Sequence, residues 1–153
     1  KLILAFTFLM TQSGVPMMYY GDEAALTGGN DPDNRRMMKF GDEVSPEGQG
    51  VLAAVERLTS IRRAHPALRR GARRSVQVSD KSYAYIRSLF DDRELVVLNR
   101  SADTVTLDLD VRPEFSPGKL TGLLANTDAA VDAGGMARVS IPPMSAEIWV
   151  SEK

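Results

Sequence analysis

The sequence predicts two unlike halves, an α/β segment over residues 1–70 and an all-β sandwich over residues 71–153. Three observations predict this. An apolar helix over residues 2–11 turns at Ser13-Gly14 into a short apolar run, residues 17–20. That is the helix, turn and buried-strand rhythm of a parallel α/β sheet. A long amphipathic helix then follows Ser45. Beyond Gly71 the pattern changes to short alternating runs separated by turn formers, as in an antiparallel sandwich.

The first helix starts with Lys1 rather than Met and is apolar from Leu2 to Met10. A membrane span needs roughly 20 apolar residues, so this run is too short for one. A signal peptide has a basic end, an apolar core and a small-residue exit, and that reading stays open. The preferred reading is a core helix in a piece of a larger protein, because a helix apolar on nearly every side is buried. A secreted or periplasmic setting is favoured over a cytoplasmic one.

Residues 17–20 lie between Gly14 and Gly21, too short for a stable helix and consistent with a buried strand. Residues 22–42 form a loop with turns at Gly28-Gly29-Asn30 and Asp31-Pro32. Ser45-Pro46-Glu47 is a helix start: a hydroxyl cap, proline in the first turn, and a carboxylate at the positive end. Val51, Leu52, Val55, Leu58 and Ile61 follow at helical spacing. His65-Pro66 ends the helix, since the residue before proline is pushed out of the α region.

Strands are expected at 75–78, 83–89, 95–99, 105–109, 119–124, 137–141 and 146–150. Leu107 and Leu109 alternate with Asp108 and Asp110, which gives that strand one wet face. The first half cannot stand alone, because one parallel strand has no neighbours to satisfy its backbone groups.

Composition narrows the chemistry. A formal net charge of −1 argues against nucleic acid or an acidic membrane as partner. Cysteine is absent, which excludes disulfides, thiolate metal sites and thiol nucleophiles and leaves the redox compartment open. A single histidine, His65, excludes multi-histidine metal sites. No loop has EF-hand spacing.

Three stretches carry a resemblance. "SGVPMMYYGDE" looks like the eighth barrel strand of the α-amylase family, the family 13 glycoside hydrolases. "GGNDPDNRR" is similar to the following loop in α-amylases, neopullulanases and cyclomaltodextrinases. "LTSIRRAHPALRRG" resembles the last barrel helix and its exit into the C-terminal β-sandwich. The resemblance implies that residues 1–70 are the C-terminal end of a catalytic (β/α)8 TIM barrel and residues 71–153 its C-terminal domain. Barrel strands end at the catalytic face, so the Gly-, Asp- and Arg-rich loop belongs to an active-site rim.

Asp31 and Arg35 are the candidate substrate-binding residues. A carboxylate accepts from two hydroxyls, and a guanidinium donates through a rigid fork. The resemblance implies that they bind glucose units on the non-reducing side of the cleaved bond. A loop-stabilising ion pair is the plainer alternative, and the two roles can coexist. Asp22 and Glu23 are adjacent and diverge, so they are expected to support the loop rather than flank a scissile bond at about 5–5.5 Å.

The family's catalytic aspartate, glutamate and second aspartate come from earlier strands, so no catalytic residue is assigned here. The resemblance implies a retaining hydrolase acting on α-1,4-glucans, with an α-glucan or maltooligosaccharide and the rest of the barrel as partners. This stretch alone is expected to be inactive. No cofactor is assigned, since the family's calcium sites lie largely in other regions. A non-catalytic carbohydrate-binding or stabilising module, or a family member serving in interaction alone, are the competing classes.

The remaining residues have structural readings. Tyr19 and Tyr20 should point to opposite sides of their strand and pack in core. His65 suits the dipole at a helix end. The arginines from Arg57 to Arg74 form a solvated or ion-paired face, and Met37, Met38 and Trp149 fill core.

Overall fold

Side-chain alternation along the strands dictates the architecture. In the computed structural model, which describes residues 1–152, eight strands form one antiparallel sheet. They are β1 (Ala72–Val78), β2 (Ser82–Leu89), β3 (Asp92–Asn99), β4 (Val105–Asp110), β5 (Gly118–Gly122), β6 (Ala129–Val131), β7 (Met136–Ile141) and β8 (Ser145–Ser151). Their order is β1-β2-β3-β8-β5-β6-β7-β4. Three helices accompany them: α1 (Leu2–Met10), α2 (Pro46–Ala64) and α3 (Pro66–Arg70).

Ala84, Ile86, Leu95, Val97 and Trp149 point to one face and join Leu109, Leu120, Val139 and Ile141 in an inner core. The intervening Tyr85, Val96, Leu98 and Ile148 point to the other face. There they meet Phe6 and Met10 of α1 and Val51, Val55, Leu58 and Ile61 of α2. The central strands β2, β3 and β8 are thus buried on both faces. Each fully buried aliphatic side chain stabilises by about 1.5–3 kcal/mol, so α2 is held by its stripe rather than by propensity.

Seven of the eight strands match expectation to within a few residues. The sandwich expectation needs adjustment. Strand β8 bonds to both β3 and β5, so hydrogen bonding is continuous where two separate sheets would leave a break. The outermost strands β1 and β4 approach each other, and the sheet curls nearly closed around the inner core. Strand β4 keeps its single wet face, with Asp108 and Asp110 exposed.

The strand expected at 17–20 does not form. Every strand pair among the described residues is antiparallel, so this segment has no parallel neighbour to complete its hydrogen bonds. It runs over the surface instead, with Val15 95% and Met17 85% exposed. Residues 1–70 therefore contribute helices α1, α2 and α3, packed on the outer face of the sheet.

Helix α2 begins as its sequence dictates. Ser45 Oγ accepts the Gly48 N–H at 3.1 Å, and His65 ends the helix in an extended conformation. A Cβ on Gly48 would lie 2.4 Å from the Ala24 carbonyl oxygen. Only glycine lets the loop that follows Gly21 lean on the first turn of α2.

Candidate functional site

The loop over residues 22–44 sits against the N-terminal end of α2 and is built from short turns. Asp33 is its knot. Its Oδ2 accepts the Gly29 N–H at 2.7 Å, and Arg36 donates to both its oxygens, Nε at 2.7 Å and Nη2 at 2.9 Å. The Arg36 fork, then the Gly29 amide, hold the Asp33 carboxyl below the usual carboxylate range. A Cβ on Gly28 would come within 2.9 Å of the Asp33 carbonyl oxygen, so the chain folds back there because residue 28 has no side chain. Sequence reading singled out neither Asp33 nor Arg36, although their (i, i+3) spacing beside Gly28-Gly29 is the available signal.

Asp31 and Arg35 are brought together. Arg35 Nε lies 2.8 Å from Asp31 Oδ1, with the side chains 61% and 69% exposed for Asp31 and Arg35 respectively. A guanidinium carries five N–H donors, and this contact engages it through Nε. An exposed pair of this kind stabilises by at most about 1 kcal/mol, so it costs little for either partner to turn to another ligand.

Tyr19 and Tyr20 depart from expectation. Their rings lie 4.7 Å apart and tilted at 47°, on one side of the chain rather than on opposite sides, and both are exposed. Strand alternation does not apply, because the segment is not a strand. Tyr20 Oη donates to the Arg36 carbonyl oxygen at 3.1 Å, tying the aromatic pair to the loop. Desolvation first, and Tyr19 beside it, raise the Tyr20 phenol. A hollow of about 190 Å³ opens here, lined by Tyr19, Tyr20, Asp22, Leu26, Thr27, Gly28 and Asn34. Asp31 and Arg35 lie outside that lining. Asp22 and Glu23 form a short turn with Ala24.

Two structural readings are corrected and a third is extended. Met37 is exposed rather than core, since the loop that carries it has no partner surface. Arg62 is buried, not solvated, and donates to four backbone carbonyl oxygens. His65 ends α2 as expected, but its imidazole faces Asp92 and Glu94. Trp149 fills the inner core, as its sequence setting suggests.

Comparison with known proteins decides the family. Residues 73–148 match the model of the maltogenic amylase C-terminal domain. A cyclomaltodextrinase of Geobacillus thermopakistaniensis is 31% identical over 99% of this chain, which spans 25% of that relative. The crystal structure of an Anoxybacillus α-amylase superposes with a TM-score of 0.88 at 32% identity, over 99% of this chain and 32% of that one.

The chain belongs to the α-amylase family. Another α-amylase structure, from Geobacillus thermoleovorans and complexed with acarbose, matches this family member at a TM-score of 0.89 and 29% identity. It too is covered over only 33% of its length by 99% of this chain. The α-amylase family chain described here therefore spans a third or less of these relatives. Both structural matches run through the loop as well as the sheet. No helix among the described residues is long and apolar enough to cross a membrane.

Proposed function

We propose that this chain is part of an enzyme that cleaves α-1,4-glucosidic bonds in starch, maltooligosaccharides or cyclodextrins, and that Asp31 and Arg35 grip a glucose unit at the rim of its active site. One observation carries the reading. The loop is shaped by Asp33 and Arg36, while the neighbouring pair Asp31 and Arg35 is left exposed, at 2.8 Å, with hydrogen-bonding capacity to spare. A carboxylate and a guanidinium so placed can take adjacent sugar hydroxyls, the first accepting and the second donating. The nearby tyrosine pair offers ring faces on which a sugar can lie.

In this reading residues 1–70 are the end of a (β/α)8 barrel and residues 71–153 its C-terminal domain. Exposed Val15, Met17 and Phe40 support it, as apolar groups that further barrel elements would cover. Neighbouring parallel strands would also complete the hydrogen bonds of residues 17–20. The chemistry would be retention: an acid protonates the glycosidic oxygen, a carboxylate forms a covalent glycosyl intermediate, and water releases it. Those carboxylates are assigned to barrel strands outside this chain, so Asp31 and Arg35 position substrate and take no part in bond cleavage.

The exposed tyrosines beside the 190 Å³ hollow would also suit a non-catalytic carbohydrate-binding module. Two assays separate the readings. The chain alone, incubated with starch and with a cyclodextrin, should release no reducing ends, whereas the product that includes the upstream barrel strands should. Tight maltooligosaccharide binding by the chain alone, with no activity in the longer product, would favour the module. Cleavage by the chain alone would overturn the assignment of the catalytic groups elsewhere.

A further inference from the structure

At the opposite end of α2, about 28 Å along its axis from the loop, three side chains converge in a way that the sugar-binding role does not use. His65 ends α2, and Asp92 and Glu94 stand two apart on β3, hence on one face of the strand. His65 Nδ1 lies 3.1 Å from Asp92 Oδ1 and 3.0 Å from Glu94 Oε1. A ligand atom from each of the three falls within 4.8 Å of the others.

Glu94 is the unusual member. It is fully buried, and among the described residues no group makes a hydrogen bond of good geometry to either of its carboxylate oxygens. His65 Nδ1 makes a close contact with Glu94 Oε1 while also facing Asp92 Oδ1, so one ring nitrogen stands between two carboxylates. Arg87 stands directly opposite Glu94 across the β2–β3 pair and is the obvious counter-charge. Its guanidinium instead donates to the Ala67 carbonyl oxygen and to Ser13 Oγ. A buried carboxylate that shares its imidazole contact with a second carboxylate is costly unless something further compensates it.

We propose that His65, Asp92 and Glu94 form a binding site for a divalent transition-metal ion of the zinc type. One imidazole nitrogen and two carboxylate oxygens are ligands that zinc takes, with an open position for water. Adjacent donors on a tetrahedral zinc lie about 3.3 Å apart, within a few tenths of an ångström of the two separations here. Asp92 is already oriented, because its Oδ2 accepts the Ala67 N–H at 2.7 Å and leaves Oδ1 facing His65. Partly exposed His65 and Asp92 give the ion a path from solvent to buried Glu94. One histidine and no cysteine exclude multi-histidine and thiolate sites, but not this mixed set.

Because His65 is the only histidine, its ring resonances report on the site without ambiguity. Zn²⁺ should be titrated into the full chain at mildly alkaline pH, where imidazole is neutral, with calorimetry alongside ¹⁵N ring NMR. One equivalent should bind, shift the Nδ1 resonance and raise the melting temperature. Glu94→Gln, nearly isosteric, and His65→Ala should each weaken binding on the order of 100-fold or more. Should His65→Ala fail to fold, Glu94→Gln decides alone. An Nδ1 resonance unmoved by Zn²⁺, or undiminished binding in Glu94→Gln, would show a hydrogen-bonded cluster with no metal role and would overturn the proposal.

Discussion

Arg62 Nη1 donates to the Met10 carbonyl oxygen at 2.6 Å, so a buried guanidinium on α2 closes the C-terminal end of α1. The same head group reaches the carbonyl oxygens of Gln12, Gly14 and Leu68. Helix ends leave their last carbonyls without intrahelical partners, and here one side chain serves them together with the following turn. Arg62→Ala should therefore strand several buried acceptors and cost about 3 kcal/mol or more. In a chain of this size that is a fall of roughly 6–12 °C in melting temperature, with hydrogen exchange accelerated first in α1. An unchanged melting temperature would sink this account of how α1 is held.

Glu147 organises the loop that follows β5. Its buried carboxylate accepts the amides of Leu124 at 2.6 Å and Ala125 at 2.9 Å and the Thr127 hydroxyl at 2.7 Å. Trp149 Nε1 donates to the Thr127 carbonyl oxygen, linking the loop to the inner core. Glu147→Ala is expected to destabilise by about 3–5 kcal/mol, because buried donors lose a charged acceptor together. Denaturant unfolding measures this, and a loss under about 1 kcal/mol would mean that the loop finds other partners.

Tyr85 makes stability fall at high pH. It is fully buried, contacts the Thr11 hydroxyl and accepts from Gln12 Nε2 at 3.0 Å. Burial is the main reason that its phenol is pushed up to about 12 from the usual 10.0. Since the folded-state value is the higher, stability is fully present below about pH 10 and is lost as pH rises through about 12. That loss is on the order of 2–3 kcal/mol. Tyr85→Phe should show a shallower decline over this window, and parallel curves for the two proteins would contradict it.

Much of this fold is legible in the sequence, and the exceptions have physical causes. Ser45-Pro46 and the stripe from Val51 to Ile61 specify α2 because caps and periodicity are local signals. Strand β6 is only Ala129, Ala130 and Val131, with too little alternation to announce itself. Residues 17–20 have strand composition, yet a strand needs a partner, and hydrogen bonding is not local. Arg62 reads as a surface charge until distant backbone comes to it, and nothing local marks Glu94 before a distant helix end meets it. At the candidate rim, the spacing of Asp31 and Arg35 was readable and the pair is indeed formed. The Asp33–Arg36 knot and the facing tyrosines depend on how the loop folds back at Gly28.

The central claim is that Asp31 and Arg35 hold sugar. It is tested most directly in the enzyme that contains this chain, by comparing Arg35→Ala with wild type on short and long maltooligosaccharides. Loss of charge-assisted hydrogen bonds worth about 1.5–3 kcal/mol predicts KM raised roughly 10–150-fold for substrates long enough to reach the rim. The shortest substrate should change little, and kcat should be largely kept. KM values unchanged at every chain length would contradict the account and leave the pair as a loop contact only.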